Sequence, residues 1–264
     1  MPEATLADAS STPVLTVTEG RALVRLNRPR EHNRIEPSDL AALVEIFARV
    51  DADAAIRTLV ITGAGKSFSS GFHIGALVER KEKRSSEDSD AFAKMVDRLE
   101  ALRVPTIAAL NGGVYGGSTD LALACDFRIG VPGVRMFMPA ARLGIVYYPS
   151  GLNRYVTRLG LGAAKKMFLT AEPIDSDELL RIGYLDEIVP AGQLMARAEA
   201  LATTITANAP LAVVATKRAL NQIAAGKLDE PELREARRRC AASADHREGL
   251  QAWAEKRKPA FRGE

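Results

Sequence analysis

The chain has 264 residues, 47% of them hydrophobic and 26% charged, with a formal net charge of +3. That length suits one large α/β domain, or one domain with a smaller appendage, and the small, dispersed positive charge does not suggest nucleic acid as a partner. No apolar run approaches the ~20 residues a membrane span needs, and the two cysteines, Cys125 and Cys240, make neither a disulfide framework nor a metal cluster and fit a reducing, cytoplasmic setting.

Residues 1–12 include Glu3 and Asp8 but no basic segment or apolar core. They read as a disordered tail, not a secretory signal. Residues 14–17, a turn at Glu19-Gly20 and residues 21–26 predict a β-hairpin. A loop follows to Asn33, in which Pro29 stops strand pairing. A helix starts at Glu36-Pro37-Ser38, with Leu40, Leu43, Val44, Phe47 and Val50 on one face. Residues 57–62 form a short buried strand that ends in a glycine-rich turn, Gly63 to Gly71. Residues 76–89 are charged and predict a mobile surface loop or helix. Residues 90–103 predict an amphipathic helix with Phe92, Met95, Val96 and Leu99 inward.

A second buried strand, residues 104–110, delivers Asn111-Gly112-Gly113-Val114-Tyr115-Gly116-Gly117-Ser118-Thr119-Asp120. The glycines allow a turn that side chains would resist. A helix starting at Ser118 or Thr119 behind it aims backbone N–H groups at one point, a site suited to an oxyanion. Asp120 sits one turn inside, where its carboxylate is expected to reach the same point. The plainer reading, a glycine loop with a capping-type acid, stands beside the catalytic one. Residues 127–131 and 135–138 predict two short strands joined by a turn at Pro132-Gly133. Residues 152–159, 162–169, 176–181, 193–207, 211–225 and 232–252 predict helices, with a break at Pro210. Strand–helix alternation followed by helices alone predicts an α/β core over residues 13–207 and a helical region over residues 208–264.

Four collinear segments resemble the crotonase superfamily, the enoyl-CoA hydratase/isomerase family. They are Asn27-Arg28-Pro29, the Gly63 to Gly71 turn, the Asn111 to Asp126 run, and Glu255 to Pro259 with Phe261. The resemblance covers about residues 14–261. It implies a spiral of ββα units with a helical C-terminal trimerisation region, assembled as a homotrimer or a dimer of trimers. It implies an acyl-CoA substrate, so that coenzyme A enters with the substrate and no separate cofactor or metal is expected. It also implies an oxyanion hole for the thioester carbonyl, made by the N–H groups of Phe72 and Gly117. By the same matching, Arg30 and His32 flank the CoA nucleotide, Ser70 and Ile74 its adenine and pantetheine path. Trp253 and Lys256 match positions that reach CoA, in part from a neighbouring subunit. For Arg30 and Lys256, ordinary surface exposure is an equal alternative.

The chain departs from the family at its carboxylates. The hydratases use two glutamates to hold one water and move its protons. Here Asp120 stands at the first position and Ala140, which cannot handle a proton, at the second. His73 replaces the usual aspartate after the oxyanion residue, as a satisfied loop histidine or as an imidazole near the thioester. Tyr148 falls where some family members carry a catalytic aspartate, so a phenol there holds a substrate carboxylate, donates a proton or lines an acyl pocket. The expected function is an acyl-CoA enzyme that stabilises a thioester enolate, hydratase- or isomerase-like with weak hydration. The alternatives are decarboxylation, C–C cleavage or hydrolysis of an acyl-CoA, or a CoA-binding protein without turnover.

Overall fold

The structure, a computed structural model, describes residues 11–73 and 87–264. Ile74, residues 76–86 and all but the end of the N-terminal tail lie outside the described residues. The chain opens with the predicted hairpin, β1 (Val14–Thr18) antiparallel to β2 (Arg21–Leu26). Helix α1 (Pro37–Ala52) returns the chain to β3 (Thr58–Gly63), and α2 (Glu87–Glu100) leads to β4 (Thr106–Leu110). Short β5 (Val114–Tyr115), α3 (Gly117–Ala124), β6 (Phe127–Gly130) and β7 (Met136–Phe137) follow. Next come α4 (Pro149–Lys165), α5 (Ser176–Arg181), β8 (Glu187–Ile188) and α6 (Leu194–Thr206). The C-terminal region holds α7 (Pro210–Ala224), α8 (Glu230–Ala242) and α9 (Ala244–Ala254).

The main sheet has the order β1-β2-β3-β4-β6-β8, parallel from β2 onward. Its central strands β3 and β4 are buried at every position, as parallel strands covered on both faces must be. A second, smaller surface is built from the β5–β7 pair and single bridges joining Ile35 to Phe72, Ser69 to Val114 and Met136 to Ile174. The two surfaces meet where the glycine turns leave β3 and β4. The mixed α/β, parallel-dominated architecture is the one expected.

Three local expectations change. The core face of α1 uses Ile46, while Val44 is 42% exposed, because Leu43, Ile46, Phe47 and Val50 follow the sheet-facing stripe. Strands β6 and β7 do not pair with each other: β6 pairs with β4 and β8, and β7 with β5. The predicted helix over 232–252 is two helices, because Ser243 is extended (φ −69°, ψ 156°). Its hydroxyl donates to Cys240 O (2.7 Å) and accepts from His246 N (3.0 Å), closing one helix and capping the next. Strand β8 has only two residues and leaves no alternation to read.

One polar anchor ties the C-terminal helices to the strand that feeds the site. Lys217 Nζ in α7 lies 2.7 Å from both Val104 O and Asp126 Oδ2, and Asp126 Oδ2 also accepts from Thr106 N at 2.7 Å. Among the described residues, no single helix is long and apolar enough to cross a membrane.

Candidate active site

The two glycine turns are clamped together by side-chain amides. Asn33, buried in a left-handed conformation (φ 54°), donates from Nδ2 to Ala64 O and Ser67 O, each at 2.8 Å. Asn111 donates to Gly65 O (2.9 Å) and accepts from Gly63 N (3.2 Å). Ser118 Oγ accepts from Tyr115 N (3.1 Å) and donates to Ser69 O (2.9 Å), pulling the start of α3 onto the first turn. Gly71 sits at φ +90°, where a Cβ would lie 2.5 Å from Tyr115 O and 3.1 Å from Gly117 N. That close approach brings the Phe72 and Gly117 amides to one place.

Both amides are open. The bridge between Ile35 and Phe72 uses Ile35 N to Gly71 O (2.9 Å) and His73 N to Ile35 O (3.0 Å), so the Phe72 N–H points to the other side. Gly117 is the first residue of α3, where an N–H has no intrahelical acceptor. Among the described residues neither amide has a hydrogen-bond partner. Two such donors at a helix N-terminus can hold a developing oxyanion. The Phe92 ring packs against Gly117, 2.7 Å from where a Cβ would stand, and its centroid is 5.7 Å from that of Phe72.

Beside the amides lies a cavity of about 590 Å³, whose walls include Ser70, Phe72, Gly117, Ala140, Tyr147 and Tyr148. Ala140 is buried in that wall, so the position of the second acid is apolar. Asp120 does not reach the cavity. It is 0% exposed and lies behind Tyr148, whose hydroxyl donates to Asp120 Oδ2. Arg154, 1% exposed on the inner face of α4, donates to the same oxygen at 2.6 Å. Arg154 also pairs with Asp97 (2.7 Å) and Glu100 (3.0 Å). Among the described residues, Asp120 Oδ1 is buried without a partner. The expectation that the Asp120 carboxylate reaches the point where the amides converge is therefore corrected: its first-turn position in α3 faces α4, and Tyr148 takes the cavity side.

Burial pushes the Asp120 carboxyl upward, more than Arg154 and the Tyr148 hydrogen bond pull it down. Burial, then the Asp120 charge, raises the Tyr148 phenol, so it is neutral near pH 7. Burial opposes the charge on Arg154, but Asp120 and Glu100 outweigh it and keep the guanidinium charged. Tyr147 stacks on Tyr148 (centroids 4.3 Å apart), and its hydroxyl donates to that of Tyr148 at 3.3 Å. Phe168, from a π-turn after α4, packs against Tyr147 at 5.3 Å.

The remaining predicted residues are divided. Ser70 lines the cavity; its N–H donates to His32 O (2.8 Å) and its hydroxyl to Glu31 O (3.2 Å), which seats the turn carrying Arg30 and His32 against the cavity edge. His32 Nδ1 lies 2.9 Å from Ser67 Oγ. His73 is turned to Glu36, with Nδ1 2.9 Å from Oε2, and does not line the cavity. Trp253, 87% exposed, and Lys256 lie beyond α4 in the C-terminal region and do not line it either. Arg154 escaped the sequence reading. Its signal was its spacing: Gly151, Arg154 and Tyr155 form the buried face of α4, so an arginine there calls for an acidic partner.

Comparison with known proteins places this geometry. Residues 16–264 match the enoyl-CoA hydratase/isomerase family. The short-chain-enoyl-CoA hydratase of Clostridium acetobutylicum is 33% identical over 93% of this chain and 95% of its own. The crotonyl-CoA hydratase of Syntrophomonas wolfei is 34% identical over 94% and 96%. The crystal structure of enoyl-CoA hydratase from Bacillus anthracis superposes with a TM-score of 0.84 at 29% identity, covering 96% of this chain and all of the other. With the fold, the glycine turns and these matches in agreement, the chain belongs to the enoyl-CoA hydratase/isomerase family.

Proposed function

We propose that this member of the family enolises an acyl-CoA thioester by moving a proton at Cα through Tyr148, and that hydration is a weak activity. The observation that carries this reading is the pairing of two open amides with a cavity whose ionisable side chains, among the described residues, are phenols. The thioester oxygen takes the Phe72 and Gly117 N–H groups. The Tyr148 oxygen accepts the Cα proton while its own proton passes to Asp120 Oδ2, and the electron pair of the C–H bond moves to the thioester oxygen. Burial raises the affinity of the Asp120 carboxylate for a proton, which suits a group that receives one. Arg154 holds the carboxylate in place. Without a carboxylate at Ala140, no second group among the described residues positions a water for addition.

Arg30, His32, Ser70 and Ile74 are assigned to the CoA path, His73 to the support of that loop. Trp253 and Lys256 are assigned to a CoA contact completed across subunits, in a homotrimer or dimer of trimers. Exposed apolar side chains in the C-terminal region, Leu220, Leu250 and Trp253, support that assembly. The unpaired Cys125 and Cys240 support a cytoplasmic setting. Coenzyme A enters with the substrate, and no other cofactor is proposed.

The test is exchange of the Cα proton of butyryl-CoA in deuterated buffer, followed by NMR, beside hydration of crotonyl-CoA. Tyr148→Phe should slow exchange by about 10²- to 10⁴-fold. Exchange that survives this substitution sinks the role of Tyr148. A second reading, CoA binding without turnover, is favoured by Ala140, and tight CoA binding with no exchange would establish it.

A further inference from the structure

The cavity wall is aromatic and apolar. Its rings belong to Phe72, Phe92, Tyr115, Phe137, Tyr147 and Tyr148, and among the described residues no lining side chain is an acid, a histidine, a lysine or an arginine. Two of its hydroxyls are committed: Tyr147 donates to Tyr148, and Tyr148 to Asp120. Behind this wall stand Asp120, Asp97 and Glu100 with Arg154 and Arg158. Arg154 is sealed off at 1% exposure. Arg142 lies 5.1 Å from the Phe137 ring centroid but is not part of the wall. On the open side the rim is again apolar, with Leu143 and a 90% exposed Val146.

An acyl chain ending in a carboxylate would leave water there and, among the described residues, meet no cation in the wall. Burying a charge on those terms is strongly unfavourable. A neutral planar chain would instead exchange water for ring contacts. We propose that this protein selects acyl-CoA thioesters with a neutral, apolar acyl group, aryl-conjugated or alkenyl, and that the aromatic wall, which offers no counter-ion among the described residues, excludes carboxylated acyl groups. This rests on the acyl-CoA reading above.

Calorimetric binding to the intact protein separates the two. Free CoA, cinnamoyl-CoA and its para-carboxy analogue are compared. Cinnamoyl-CoA is expected to bind at least about tenfold more tightly than the para-carboxy analogue. In Leu143→Arg, which sets a cation on the rim, the para-carboxy analogue should gain at least about fivefold relative to cinnamoyl-CoA. A para-carboxy analogue binding as tightly as cinnamoyl-CoA to the natural protein overturns the inference, and so does an unchanged ranking in Leu143→Arg. If neither CoA nor any thioester binds, the acyl-CoA reading itself falls and takes this inference with it.

Discussion

Arg154 and Asp120 form an ion pair, 2.6 Å apart, in which neither side chain is more than 1% exposed. The pair joins α4 to α3 directly behind the phenol that faces the cavity. Two charges withdrawn from water in this way gain little net stability together, but each is costly without the other.

Arg154→Met should therefore destabilise the fold by about 3–5 kcal/mol, since Asp120 is left buried without its cation. Asp97→Asn, at a partner whose side chain is 44% exposed, should cost under about 1 kcal/mol. Urea denaturation of both variants checks the contrast. Equal costs would mean that the Asp120 contact is not the one that matters.

Gly71→Ala should damage site and fold together. The position has φ +90°, and the new Cβ would meet Tyr115 O at 2.5 Å. Strain of about 1–3 kcal/mol is expected, and displacement of one amide donor should lower turnover by about 100-fold or more. Gly133→Ala is the control: φ is +85° there, but nothing lies within 4 Å of the new Cβ. Its stability cost should be smaller, with turnover unchanged.

Glu36 gives a pH signature. Burial raises its carboxyl, but hydrogen bonds from His73 and Arg34 overcome this and hold it below the usual carboxylate range. A carboxyl lowered in the folded state adds stability above its ordinary value and loses it as pH falls through its folded value. The destabilisation by Glu36→Gln should be largest near pH 7 and should shrink as pH drops below about 4. Denaturant midpoints across that range report it, and a difference that grows toward acid would contradict the pairing.

The two thiols should react unequally. Burial pushes Cys125 up to about 12, so it is a protonated thiol at neutral pH. Cys240 is partly exposed. At pH 8, Ellman's reagent should label Cys240 in the native protein and reach Cys125 only after unfolding. Rapid labelling in a Cys240→Ala variant would show that the core opens around Cys125.

Much of the fold was legible in local pattern. Buried strands β3 and β4 are continuous apolar runs, the glycines around Gly71 and Gly117 mark turns that need close backbone approach, and α1 starts behind Glu36-Pro37. These signals are short-range, so the sequence carries them by itself. The pairing of β6 with β4 and β8, not with β7, was not legible, because parallel partners are distant in sequence and two-residue strands leave no period.

At the site, the sequence by itself determined the two glycine turns and the carboxylate Asp120, and its resemblance to the family pointed to the amides of Phe72 and Gly117 and to Ala140 in the place of a second acid. Which way Asp120 faces was decided by tertiary structure alone. A residue in the first turn of α3 has several possible neighbours, and its partner Arg154 lies on another helix. Burial removed Asp120 from water, the charge of Arg154 fixed it there, and Tyr148 was left as the group that meets the cavity.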